Sequence, residues 1–94
     1  MKILKVLKSD RKDKKYKAIL DNGKEIHFGL KGSETYISGA AKQKRDNYLK
    51  RHLGNPLEKN LIQNNVMSPA LLSAKLLWNT PSLEKNLKLL NEKL

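Results

Sequence analysis

YKAILDNGKEIHFGLKG, residues 16–32, places two runs of strand-forming residues on either side of Asn22-Gly23. Asn tolerates positive φ and Gly adopts it freely, so the dipeptide suits the two-residue turn of a β-hairpin. A type I′ turn there pairs Asp21 with Lys24, Ile19 with Ile26 and Lys17 with Phe28. Side chains alternate along a strand, so Ile19, Ile26 and Phe28 would share one face. The hairpin strands are expected at about Lys15–Leu20 and Lys24–Gly29. Upstream, Lys2–Lys8 alternates imperfectly and is rich in strand formers, which predicts a first strand and a three-stranded antiparallel meander. One face of that sheet should be wet and basic, and the other needs an apolar cover.

The cover is expected from the C-terminal half. Ala40–Leu53, AAKQKRDNYLKRHL, reads as a helix stopped by Gly54, with Ala41, Tyr48, Leu49 and His52 along one stripe. Asn55-Pro56 breaks the chain. Leu57–Met67 reads either as a short helix or as a loop, because Asn60, Asn64 and Asn65 weaken a helix. Ser68-Pro69 is a helix start, and PALLSAKLLW, apolar nearly all round, predicts a central buried helix to Trp78. Thr80-Pro81 repeats the start signal for a last helix towards Lys93, with Leu83, Leu87, Leu90 and Leu94 on one stripe. The predicted fold is α+β: an N-terminal three-stranded antiparallel meander in residues 1–32 packed against three or four helices in residues 40–94, in one small domain.

Charge bounds the function. The chain of 94 residues has a net charge of +11, and its pI of about 10 is typical of proteins that meet polyanions. Residues 1–51 hold 15 Lys/Arg against 6 Asp/Glu, and residues 52–94 hold 5 against 3. Without cysteine there is no disulfide and no thiolate metal site. Met1-Lys2-Ile3-Leu4 is too short a run for a secretion signal, and no apolar run reaches membrane-span length, so the expectation is a soluble intracellular protein.

Nothing marks an enzyme. His27 and His52 have no HxxxH or HxH spacing, no G-x-S-x-G frames a nucleophile, and the acidic residues mostly neighbour Lys or Arg. No catalytic residue, metal ligand or cofactor is therefore assigned. Gly29-Leu30-Lys31-Gly32-Ser33 lacks phosphate-loop spacing, and it reads either as a plain sheet-to-helix connection or as a turn whose amides, with Lys31, hold one phosphate. The basic residues Lys12, Lys14, Lys15 and Lys17, then Lys42, Lys44, Arg45, Lys50 and Arg51, lie near Tyr16, Tyr36 and Tyr48. Cations beside aromatic rings are one mode of single-strand binding; a solvated face over core tyrosines is the alternative. The expected nucleic-acid-binding set is Lys14, Lys15, Lys17, Lys31, Lys42, Lys44, Arg45, Lys50 and Arg51, with low sequence specificity for DNA or RNA. The leucine stripe of residues 83–94 reads as core, or as a homo-oligomer face if exposed.

Three runs carry a resemblance: KKYKAILDNGKEIHFGLKG, RDNYLKRH and SPALLSAKLLWNTPSLEKNLKLLN. With Ile26-His27-Phe28-Gly29, Lys31-Gly32, Arg45, Tyr48, Arg51-His52 and Leu76–Leu83 in that order, the chain resembles a small uncharacterised family of large double-stranded DNA viruses of eukaryotes. It departs from that pattern at Ser33–Gly39, which lacks the family's histidine, and at Gly54–Met67. The resemblance implies a viral origin, in the virion or the infected-cell cytoplasm, and supplies no catalytic or binding residues. On it rest two expectations: a non-catalytic virion-associated basic protein binding nucleic acid through phosphates, or a minor capsid or core structural protein making protein contacts.

Overall fold

A computed structural model describes residues 2–94; Met1, the start of the run read for a secretion signal, lies outside them. The fold is α+β. Strands β1 (Ile3–Lys8), β2 (Lys14–Leu20) and β3 (Glu25–Leu30) form an antiparallel sheet in the order β1-β2-β3. A single 3₁₀ turn at Tyr36–Ser38 leads to four helices: α1 (Lys42–Leu53), α2 (Pro56–Gln63), α3 (Pro69–Leu72) and α4 (Leu83–Lys93). Helix α3 runs straight into a wider π-type turn at Ser73–Leu77. No helix among the described residues is long and apolar enough to cross a membrane.

The hairpin forms, but one residue out of the expected register. Its loop has three residues, Asp21-Asn22-Gly23, closed by Leu20 N–H donating to Lys24 O at 2.9 Å and Gly23 N–H to Leu20 O at 3.0 Å. Only Gly23 takes positive φ, at +86°; Asn22 instead accepts from Lys24 N–H through its side chain at 3.0 Å. A three-residue loop with glycine in the left-handed position is the next commonest hairpin closure. The pairs become Tyr16–Phe28, Ala18–Ile26 and Ile19–Glu25. A one-residue slip changes which faces meet. Tyr16, Ala18, Leu20, Ile26 and Phe28 now share the core face, while Ile19 moves to the outer face beside Glu25. The reason is apolar content: Tyr16, Ala18 and Leu20 outbid Lys15, Lys17 and Ile19 as a surface to bury. Gly23→Val should therefore cost more than about 1 kcal/mol, since a β-branched residue resists positive φ. A urea melt of the variant tests it, and an unchanged midpoint would show that the loop tolerates the strain.

The imperfect alternation of β1 has a physical cause. The register shifts between Ile3 and Lys5, leaving Leu4 as a bulge residue, 63% exposed. The bulge lets Ile3 and Val6, three apart, both pack on the core. Ile3, Ala18, Leu20 and Phe28 from the sheet meet Leu71, Leu72, Leu76, Leu77, Trp78 and Leu90, as the apolar cover predicts.

Helix boundaries shift where polar side chains take backbone groups. Helix α2 is real: the Asn55 side chain accepts from Leu57 and Glu58 N–H, and Pro56 opens the first turn. Asn65, at φ +51°, ends it, with Val66 N–H to Leu61 O at 2.9 Å and Asn65 N–H to Ile62 O at 3.3 Å. Those are the two bonds of a Schellman end, so an asparagine read as weakening the helix in fact terminates it. Gly54, by contrast, is right-handed at φ −76° and does not close α1 by a left-handed cap. Helix α4 starts later than expected, because Ser82 rather than Thr80 caps it, accepting from Lys85 N–H at 3.2 Å. Its stripe Leu83, Leu87, Leu90 and Leu94 packs on the core, so the residues proposed for a homo-oligomer face are engaged within the chain. Lys75, in the apolar run of residues 69–78, is half-buried, and burial, then Lys93 nearby, push its ammonium below the ordinary lysine range.

Two asparagines tie the layers together. Asn86, fully buried, accepts from Thr80 N–H at 3.0 Å and Thr80 Oγ1–H at 2.6 Å, and donates to Leu76 O at 2.8 Å and Thr80 O at 3.0 Å. Asn91 accepts from Ile3 N–H at 2.9 Å and donates to Ile3 O at 2.9 Å, as a neighbouring strand would. Lys2 Nζ donates to the carbonyls of Asn91 and Leu94.

Candidate functional site

Helix α1 has no fully buried residue, yet it is fixed to the core by three contacts. The Tyr48 ring stacks on Trp78 at 4.3 Å between centroids and 9° between planes. Arg45 Nε donates to Trp78 O at 3.0 Å, and its guanidinium lies 5.7 Å from the centroid of the Tyr36 ring. On the other side of Tyr48, the His52 ring lies 4.1 Å away. His52 Nδ1 contacts Glu58 Oε2 at 2.9 Å; a carboxylate only accepts, so the proton sits on Nδ1. Burial raises the Tyr48 phenol above its ordinary range, with Glu58 adding to the effect and Ser73 and Arg51 opposing it, so it stays a neutral hydroxyl at physiological pH.

Between this aromatic row and the end of β3 lies a cleft of about 570 Å³. Its floor is Ser73, Leu77 and Trp78; Lys44, Asn47 and Arg51 stand along its α1 side. Leu30 and Glu34 stand opposite. Two backbone irregularities shape it. The π-type turn supplies Ser73 and Leu77. Gly29, at φ +80°, approaches so closely that an added Cβ would sit 3.0 Å from Leu77 Cδ1 and 3.2 Å from Lys15 Cβ. Lys44 Nζ lies 3.2 Å from Glu34 Oε2, with both side chains about half exposed. A smaller recess beside it involves Lys14, Leu30, Glu58 and Pro69.

The expected nucleic-acid residues do not form one surface. Of the α1 cations, Lys44 and Arg51 line the cleft. At about 100° per residue these two point within about 20° of each other, whereas Lys42 and Lys50 point about 100° or more away. Arg45 is committed to Trp78 O and to Asp46, 3.0 Å from its Nη1. Lys15 Nζ donates to Ser33 O at 2.7 Å, and Lys17 lies 3.5 Å from Glu25 on the outer sheet face. Lys14 borders the smaller recess. Lys31 is exposed, but its own N–H bonds Asp13 O at 3.2 Å and Ser33 N–H bonds Leu30 O at 3.2 Å. The amides at residues 31 and 33 are thus bonded within the chain. His27 contacts Ser9 Oγ through Nδ1 at 2.7 Å, also on the outer face. The sequence reading missed Asn47, Ser73, Leu77 and Trp78 as cleft residues. The i, i+3, i+4 spacing of Lys44, Asn47 and Tyr48 was a usable signal for one wall.

No curated protein and no solved structure matches this chain. A family match spans residues 4–52, which hold the sheet and most of α1, and so the walls of the cleft but not its floor at Ser73, Leu77 and Trp78. The chain belongs to that family, DUF5754, a family of unknown function.

Proposed function

We propose that the protein is a small non-catalytic basic protein that binds nucleic acid mainly through phosphate contacts, with low sequence specificity. One observation carries this reading: on a chain of net charge +11, Lys44 and Arg51 converge on a cleft with an aromatic wall. Exposed Lys12, Lys31, Lys42 and Lys50 would add long-range attraction from other directions. The resemblance to proteins of large DNA viruses supports a viral genome or its transcripts as the polymer, met in the virion or the infected-cell cytoplasm. A second reading, a minor capsid or core structural protein, is favoured by Leu4 and Leu7, 63% and 41% exposed on the edge strand β1.

The experiment is a binding titration with DNA and RNA across salt. The logarithm of affinity should fall linearly with the logarithm of salt, by about 0.9 per phosphate contact on duplex DNA, with about four to six contacts for a domain of this size. Changing Lys44 and Arg51 together to Gln should flatten the slope by up to about two units, whereas Lys42 and Lys50 changed together test the opposite side of α1. If the parent binds neither DNA nor RNA at low salt, the phosphate reading fails and the structural reading takes its place.

A further inference from the structure

We propose that the cleft takes a single unpaired nucleotide, its base against the aromatic wall and its phosphate at Lys44 and Arg51. This rests on the nucleic-acid reading and deepens it, because a base held in a duplex stack cannot enter a cleft. A volume of about 570 Å³ lies within the range of small-molecule sites. The lining is of the right kind. Leu77 and Trp78 make an apolar floor, the row Trp78–Tyr48–His52 borders the cleft by its ring edges because the faces of Tyr48 are covered by its two neighbours, and Asn47 brings both a donor and an acceptor suited to a base edge.

The backbone adds a second, independent argument. The π-type turn at Ser73–Leu77 and the positive φ of Gly29 are departures from regular structure, and both border the same cleft. π-type turns are frequent at functional sites, and the positive φ that glycine allows brings Gly29 to near-contact with Leu77 at the floor. The charges define the anion's place. Glu34 holds Lys44 at 3.2 Å and Glu58 holds His52 at 2.9 Å, while Arg51 has no acidic partner within ion-pair distance among the described residues. An arriving phosphate would meet Arg51 first and compete with Glu34 for Lys44. The Glu34 carboxylate therefore opposes binding, and removing its charge should strengthen it.

Trp78 is the sole tryptophan, so its emission reports on the cleft directly. The test titrates the intact protein with adenosine monophosphate, inorganic phosphate, a short single-stranded oligonucleotide and its blunt duplex, following Trp78 emission and, for the labelled oligonucleotides, anisotropy. The single strand should change Trp78 emission saturably, and the duplex should need about tenfold more to do so, if it does so at all. Glu34→Gln should tighten single-strand binding by about two- to fivefold, as loss of an exposed competing charge implies. If single strand and duplex bind equally and Trp78 emission stays constant, the cleft is not the site, while the phosphate reading of the surface stands. If neither polymer binds but adenosine monophosphate shifts Trp78, the cleft takes a free nucleotide and the polymer reading falls. If inorganic phosphate shifts Trp78 as strongly as adenosine monophosphate, base recognition is overturned. If nothing binds, both readings fail together.

Discussion

Asn86→Ala should destabilise the protein by about 3–5 kcal/mol, a large share of the total stability of so small a domain. The side chain is wholly buried and makes four hydrogen bonds, three to Thr80 and one to Leu76 O. Truncation leaves the buried Leu76 carbonyl and the part-buried N–H, hydroxyl and carbonyl of Thr80 without their partner, and each buried orphan costs about 1–3 kcal/mol. Asn86→Asp should fare no better, because a carboxylate would face two carbonyl oxygens that need a donor. Urea denaturation followed by circular dichroism measures both. A loss under about 1 kcal/mol for the alanine variant would mean that residues 76–80 find other partners.

Trp78→Ala should cost a comparable amount, about 3–5 kcal/mol, through lost burial and the cavity left behind. Trp78 is 5% exposed and stacks on Tyr48, so its removal loosens the core and the attachment of α1 at once. Trp78→Phe keeps a ring in the stack and should retain most of the stability. The comparison separates ring stacking from volume: equal losses for Ala and Phe would show that the indole itself is required. Both variants are to be followed by circular dichroism, since they remove the fluorophore.

The α+β arrangement was legible because its signals are periodic and local. The strands, the Ser68-Pro69 start and the leucine stripe each depend on residues within a few positions of one another. The hairpin register was legible too, but in a different signal from the turn dipeptide. Tyr16, Ala18 and Leu20 form the more apolar face of β2, and burial of that face overrides the preference of Asn-Gly for a two-residue loop. Arg45 and Lys44 are neighbours of the same charge class in sequence, yet one is bound to a carbonyl 33 residues away and the other lines the cleft. The difference lies in the rotation of α1 against Trp78, which no local pattern encodes. Asn86 and Asn91 look like solvated helix residues for the same reason: their partners become neighbours only through tertiary packing.

The clasp between Asn91 and Ile3 joins residues 88 apart in the chain. During synthesis, residues 3–30 can pair as a meander long before Asn91 leaves the ribosome. Through that interval Ile3, Ala18, Leu20 and Phe28 have no helices to cover them, and the bulged start of β1 has no partner on its free edge. Closing so long a loop is entropically costly until the helices contribute their burial. The nascent sheet is thus the most aggregation-exposed stage of this protein's life, a stage at which a chaperone has an apolar face to hold.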